Sequence, residues 1–251
     1  MTNANLFEYL LRLADDRLVL GHRNSEWCGH GPILEEDIAT ANIALDLLGQ
    51  AQLLLKLAGE TEGQGRDEDA LAYWRDESQF RNLQLVELPK GDFAFTVARQ
   101  FLFSAWNQGF LEALTQSKHE DLAGIAGKAL KENRYHLRHS AEWLIRFGDG
   151  TDESHRRAQT ALDELWPWTG EFSSEDQVDR ALLAEGIAPA LTPLRPPFEA
   201  MVRDITARAT LTVPDRPMRM TGGRTGRHTE YLGHMLAEMQ IVARSHPGAV
   251  W

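Results

Sequence analysis

Residues 33–60 read ILEEDIATANIALDLLGQAQLLLKLAGE, and the way this stretch is patterned decides the fold. Ile38, Ala41, Leu45, Leu48 and Leu55 recur at three- and four-residue steps, the spacing of one helix face. Ile43, Leu47 and Leu54 lie on the other side. A helix that is apolar around most of its circumference is one buried in a bundle. Glu35, Glu36 and Asp37 stand in the first turn, where the helix dipole favours acids, and Gly59 is a suitable stop. One polar stripe interrupts the pattern: Asn42, Asp46 and Gln50 at four-residue spacing, with Gly49 beside them.

Outward from this helix, the prolines mark where other long helices can run. None occurs between Pro32 and Pro89, nor between Pro89 and Pro167, and a proline inside a helix removes a hydrogen bond and clashes with the preceding turn. Periodicity predicts helices over 92–117 and over 120–147, the second ending at Gly148 before an Asp149-Gly150 turn. A helix over 152–170 starts at Thr151 or Asp152. Shorter helices are expected at 4–20, 67–85 and 175–185. One more runs from Pro196-Pro197 to about Arg208, and a last one, over about 228–245, is fed by a loop, TGGRTGRHTE. No window alternates strictly and β-branched residues are sparse. The expected fold class is all-α, a long-helix bundle with additional short helices, with residues 1–251 as one domain.

Composition narrows the function. The 37 acidic residues outweigh the 26 Lys and Arg, for a formal net charge of −11, a field that repels nucleic acid and anionic membranes. No run of about 18 uninterrupted apolar residues marks a membrane span. The opening MTNANLFEYLLRLADDRLVL lacks the early basic cluster of a secretory leader, so the expected location is cytoplasmic. Cys28 is the one cysteine and reads as a small core residue beside Trp27. TGGRTG lacks the spacing and the Lys-Ser or Lys-Thr pair of a phosphate-binding loop. Its Arg224 and Arg227 could meet an anion, but a flexible connection is the preferred reading. Trp166 and Trp168 are assigned to the core or a subunit interface.

Long helices carrying acids and histidines raise the question of a di-iron carboxylate centre. That chemistry takes a Glu from each of two helices and a Glu-x-x-His pair from each of two more. No Glu in this sequence has a His three residues later; Glu132 and His136, Glu26 and His30, and Glu230 and His234 are all four apart. Asp152 and His155 have the right step but sit at a helix start. Two polar stripes nevertheless stand where a centre would be: Asn42, Asp46 and Gln50 on one helix, and Lys128, Glu132, His136 and His139 on another. The expectation is a structural network without metal, in which lysine or arginine pairs with Asp46 and Glu132 and supplies the missing positive charge. For the second stripe, simple exposure to solvent is the competing reading.

Several stretches then carry a family likeness: EWCGHGP (26–32), ANIALDLLGQAQ (41–52), RDESQFRN (75–82), KENRYHLRHS (131–140), LAEGIA (183–188) and TGGRTGRHTEYLGHMLAEMQ (221–240). They resemble the C subunits of bacterial phenylacetyl-CoA epoxidases, over nearly the whole chain. The resemblance implies a ferritin-like bundle acting as the structural, non-catalytic subunit of a multicomponent monooxygenase. The di-iron centre would lie in a catalytic A subunit, and NADPH, FAD and iron–sulfur in a reductase. This chain would bind no cofactor. The places of the catalytic subunit's Glu-x-x-His pairs are implied to be Leu47 with Gln50 and Asn133 with His136. Implied substrate-contacting positions are Gln79, Phe80, Arg81 and Asn82, and Arg180, Ala181 and Leu182. There Arg75, Arg81 and Arg180 could meet coenzyme A phosphates, against their reading as solvated surface arginines. Implied partners are the catalytic subunit, a second copy in a homodimer, and phenylacetyl-CoA at the subunit interface, with no nucleic acid and no membrane. The alternatives are a stand-alone di-iron oxidase or ferritin-like iron protein, and a lone acyl-CoA-binding module.

Overall fold

Two long helical hairpins form the centre of the molecule. The structure, a computed structural model, describes residues 2–218 and 220–249. The first hairpin is α1 (Thr2–Ser25) and α2 (Leu34–Glu62); the second is α5 (Phe93–Leu114) and α6 (Glu120–Gly148). Between them run α3 (Glu68–Tyr73) and α4 (Gln84–Glu87). After them come α7 (Asp152–Leu165), α8 (Gln177–Glu185), α9 (Arg195–Arg208) and α10 (Glu230–Ser245). Among the described residues there is no strand.

The helix ends follow local chemistry. Asp92 caps α5 by accepting from the Phe95 N–H at 2.9 Å. Thr151 caps α7, accepting from the Ser154 N–H. α2 ends at Gly63, whose φ of 69° is the left-handed conformation that glycine adopts without strain. α1 is the most buried element: every residue from Tyr9 to Gly21 is buried, including Arg12, Asp15, Asp16 and Arg17. Each fully buried leucine along it contributes roughly 1.5–3 kcal/mol. α2 is the one described helix long and apolar enough to cross a membrane by length and composition, but it packs along α1 and across α6, with 44% of its most apolar window buried.

Three expectations are corrected. The 67–85 helix is broken into α3, a 3₁₀ turn at Glu77–Gln79, and α4. Its helical hydrogen bonds are replaced by tertiary ones: the Arg81 and Leu83 N–H groups donate to Asp15 and Asp16 of α1, both at 2.8 Å. The 152–170 helix stops at Leu165 and continues as 3₁₀ turns over Trp166–Ser173, because Pro167 has no N–H to extend the α ladder. Cys28 is exposed; it is Trp27 that turns inward, donating Nε1–H to Thr96 at 2.9 Å and meeting Phe93 edge-on. Trp166 is a core residue stacked on Phe198.

Candidate functional site

The midpoint of the bundle holds a polar network. Arg17 of α1 donates from Nε to Gln50 Oε1 of α2 at 3.0 Å, from Nη1 to the Leu13 carbonyl at 2.8 Å and from Nη2 to Asn107 of α5 at 3.4 Å. Gln50 Nε2 in turn donates to Glu132 of α6 at 2.8 Å. The α2–α6 seam continues the network: Asp46 meets His136 Nε2 at 3.0 Å, and Glu36 meets His139 Nε2 at 2.8 Å. Asn133 donates to the Ser104 carbonyl at 3.0 Å. Both stripes therefore converge on this seam, and His136 is buried rather than solvated.

Two details depart from expectation. Asn42 is exposed and takes no part. Among the described residues no lysine or arginine pairs with Asp46, whose partner is His136. Glu132 does have a lysine partner, Lys128 at 3.8 Å along α6, and Arg17 reaches Glu132 only through Gln50. Burial draws the Arg17 pKa down to about 10, which leaves the guanidinium charged at neutral pH.

These residues do not fit a di-iron centre. Among the described residues no three His, Cys, Asp or Glu side chains gather as a metal site. A fixed guanidinium also stands at the convergence point, where it repels a second cation. Arg17 is the residue that sequence reasoning missed. A signal was present: Arg12, Asp15, Asp16 and Arg17 interrupt an apolar run without forming one polar face, the mark of charges buried in pairs rather than solvated.

A second set of ion pairs surrounds α1. Arg75 grips Asp15 with both terminal nitrogens and is buried, so it is not available to a phosphate. Arg12 donates to Asp176 at 2.6 Å and to Asp179 at 3.1 Å. Burial opposes the charge of Asp176, but Arg12 outweighs it and holds that carboxyl below the usual range. Burial, with the adjoining Asp176 charge, pushes Asp179 up. Arg224 forms an ion pair with Asp16 at 2.8 Å and donates to the Arg81 carbonyl at 2.8 Å. Glu171 accepts from the Gly222 N–H at 2.9 Å. The 222–227 segment is thus a pinned loop, correcting its reading as a flexible connection, and Arg224 is spent internally.

The seven expected substrate-contacting residues divide by exposure. Gln79 and Arg180 are exposed, and Arg81 and Ala181 are half-buried. Phe80, Asn82 and Leu182 are buried in the core. The two segments lie on the same side of α1: Arg81 donates to Glu8 at 2.9 Å, Glu8 pairs with Arg12 at 3.5 Å, and Arg12 holds the acids of the α8 N-terminus beside Arg180.

The model of one family, described as phenylacetic acid catabolic protein, matches residues 1–251. The chain belongs to this family. It is similar to the C subunit of the 1,2-phenylacetyl-CoA epoxidase of Escherichia coli (strain K12), with 51% identity over 246 residues, covering 98% of this chain and 99% of that protein. The phenylacetic acid catabolic protein family thus accounts for the long-helix, ferritin-like bundle. This member carries arginine, glutamine and asparagine at the heart of the bundle.

Proposed function

We propose that this chain is the structural, non-catalytic subunit of a phenylacetyl-CoA epoxidase, a cytoplasmic protein that forms one ferritin-like unit and holds the catalytic di-iron subunit. The observation that carries the reading is Arg17 hydrogen-bonded to Gln50 and Asn107 at the centre of the bundle. A residue that supplies fixed charge and closed hydrogen bonds there rigidifies the bundle instead of binding metal. Its contribution to the reaction is then shape: a rigid surface against which the catalytic partner is ordered. The relative's description as a subunit supports the assignment of a partner.

Phenylacetyl-CoA would lie at the interface of the two subunits, reached from this chain by Gln79, Arg81 and Arg180. Their shared side of α1 supports that placement. The backbone of Phe80, Asn82, Ala181 and Leu182 would hold these segments in shape, without the Phe80, Asn82 or Leu182 side chains touching the ligand.

The test is reconstitution. The catalytic subunit is purified alone and after co-expression with this chain, and both preparations are assayed with phenylacetyl-CoA and the reductase. The proposal expects a stable complex and epoxidation by the complex alone. Equal turnover by the lone catalytic subunit would remove the scaffold role.

A further inference from the structure

A cavity of about 30 Å³ lies inside the molecule, between α1, α5, α8 and the residues around Glu171 and Arg224. Its two walls differ in chemistry. Phe103, Trp106 and Phe110 of α5, with Phe172, form an apolar wall in which Trp106 stacks on Phe172 at 5.3 Å. The opposite wall is charged. It carries Arg12, Asp16 and Arg17 of α1, Asp179 of α8, Glu171 and Arg224. Tyr9 also lines the cavity. It stands three residues before Arg12, and so on the same face of α1.

The charged groups of this wall are engaged with one another or with the backbone. Arg12 holds Asp179 and Arg224 holds Asp16. Arg17 donates to Gln50, the Leu13 carbonyl and Asn107. Glu171 accepts from the Gly222 N–H at 2.9 Å and the Gln84 N–H at 3.1 Å. Tyr9 is the exception. Its side chain is buried, and its hydroxyl has no hydrogen-bond partner among the described residues. Arg12 Nε stands 3.5 Å from Glu8 without a hydrogen bond to it. Buried hydroxyls are paired as a rule, with protein or with water. Burial first, and then the neighbouring Asp179 charge, push the Tyr9 pKa up. The hydroxyl therefore keeps its proton and has it to donate.

We propose that this cavity is an internal water site, and that a water there accepts the Tyr9 hydroxyl proton and carries the hydrogen bond on to the charged wall at Arg12 and Asp179. Size and chemistry both select water. At roughly 10–15 Å³ for each molecule, the cavity takes about two. A cavity lined by apolar groups alone stays dry, but one that offers a water two or more polar partners holds it, and Tyr9 Oη, Arg12 Nε and the Asp179 carboxylate are such partners. An organic ligand is too large. A halide ion is the competing occupant of this size. Charge disfavours it, because the three guanidinium groups on the wall are matched by the carboxylates of Asp16, Glu171 and Asp179, and an added anion would be buried without a counter-charge. The water ties the orphan hydroxyl of α1 into the network that Arg12 makes with α8. This inference goes beyond the subunit reading and holds for the chain by itself.

The experiment uses the full chain. It is crystallised from chloride and from bromide, with Tyr9→Phe beside it, at a resolution that shows ordered water. Oxygen-17 relaxation dispersion counts long-lived internal waters in solution for both proteins, and circular dichroism checks that the variant is folded. The expected result is electron density for about two waters in the cavity, one of them within hydrogen-bond distance of Tyr9 Oη, and no anomalous bromide peak. In Tyr9→Phe the water beside the ring is lost, and the count of long-lived waters falls with it. A cavity without density in the unaltered chain would overturn the proposal. A bromide peak there would overturn it too, by making this an anion site. So would a folded Tyr9→Phe that keeps the same waters, because the hydroxyl would then not be what holds them. Should Tyr9→Phe not fold, the density and bromide measurements on the unaltered chain still decide.

Discussion

Arg17 is buried with three hydrogen-bonded acceptors, none of them a carboxylate, so its charge is balanced by dipoles and by the nearby Asp16 carboxylate. Removing it strands Gln50 Oε1 and Asn107 Oδ1. Arg17→Met is expected to cost about 2–4 kcal/mol in urea unfolding. Adding Gln50→Leu, which also removes the stranded amide, should recover about half of that; a purely additive loss would mean that the network is not coupled. His228 offers a pH test. Its Nδ1 faces Glu87 at 2.8 Å and its Nε2 faces the Phe80 carbonyl at 3.0 Å, so both nitrogens are matched to acceptors only when both carry protons. Burial works against the charged ring, but the Glu87 carboxylate prevails and holds the His228 pKa above its ordinary value. A raised folded-state pKa stabilises fully below the unfolded value of about 6.5 and the stabilisation is lost as pH climbs through the folded value. Melting temperature should therefore fall between pH 6 and pH 9, and His228→Gln should lower it at pH 6 while flattening that slope.

The elements differ in how far their sequences reveal them. α2, α5 and α6 are legible as helices because each repeats an apolar pattern over more than five turns, but burial departs from the reading of α2, where Ile38 and Leu45 are 53% and 65% exposed. The 67–85 segment reads as helix for the same reason, yet Asp15 and Asp16, some 66 residues away, take the N–H groups that a helix would have used; nothing local announces this. The seam is half legible: the polar stripes point to it, but Arg17 stands on a helix read only as a short apolar one. The loop after α9 is the other instance. Gly223 lies so close to the Asn82 carbonyl that a Cβ there would overlap it. Gly223→Ala should cost about 1–3 kcal/mol and raise hydrogen exchange across residues 221–229 before that of α2 or α5. Uniform protection in the variant would show that the loop is not pinned as described.

At the scale of the whole molecule, the two faces of α2 divide the labour. One builds the core with α1 and the seam with α6; the other is exposed, with Leu34, Ile38 and Leu45 standing among Asn42, Gln52 and Lys56. The same division explains why its sequence reads as fully buried: Leu47, Leu54, Leu55 and Leu57 are in the core, while Leu34, Leu45 and Leu53 give the exposed face the same apolar pattern. Among the described residues, the centre of the bundle holds the Arg17 guanidinium and no gathering of three metal-ligating side chains. The most direct test is iron content, measured on the purified chain alone and on its co-expressed complex with the catalytic subunit. The account predicts no bound iron in the lone chain and iron in the stable complex. About two tightly bound irons per lone chain, the content of a di-iron bundle, would contradict it.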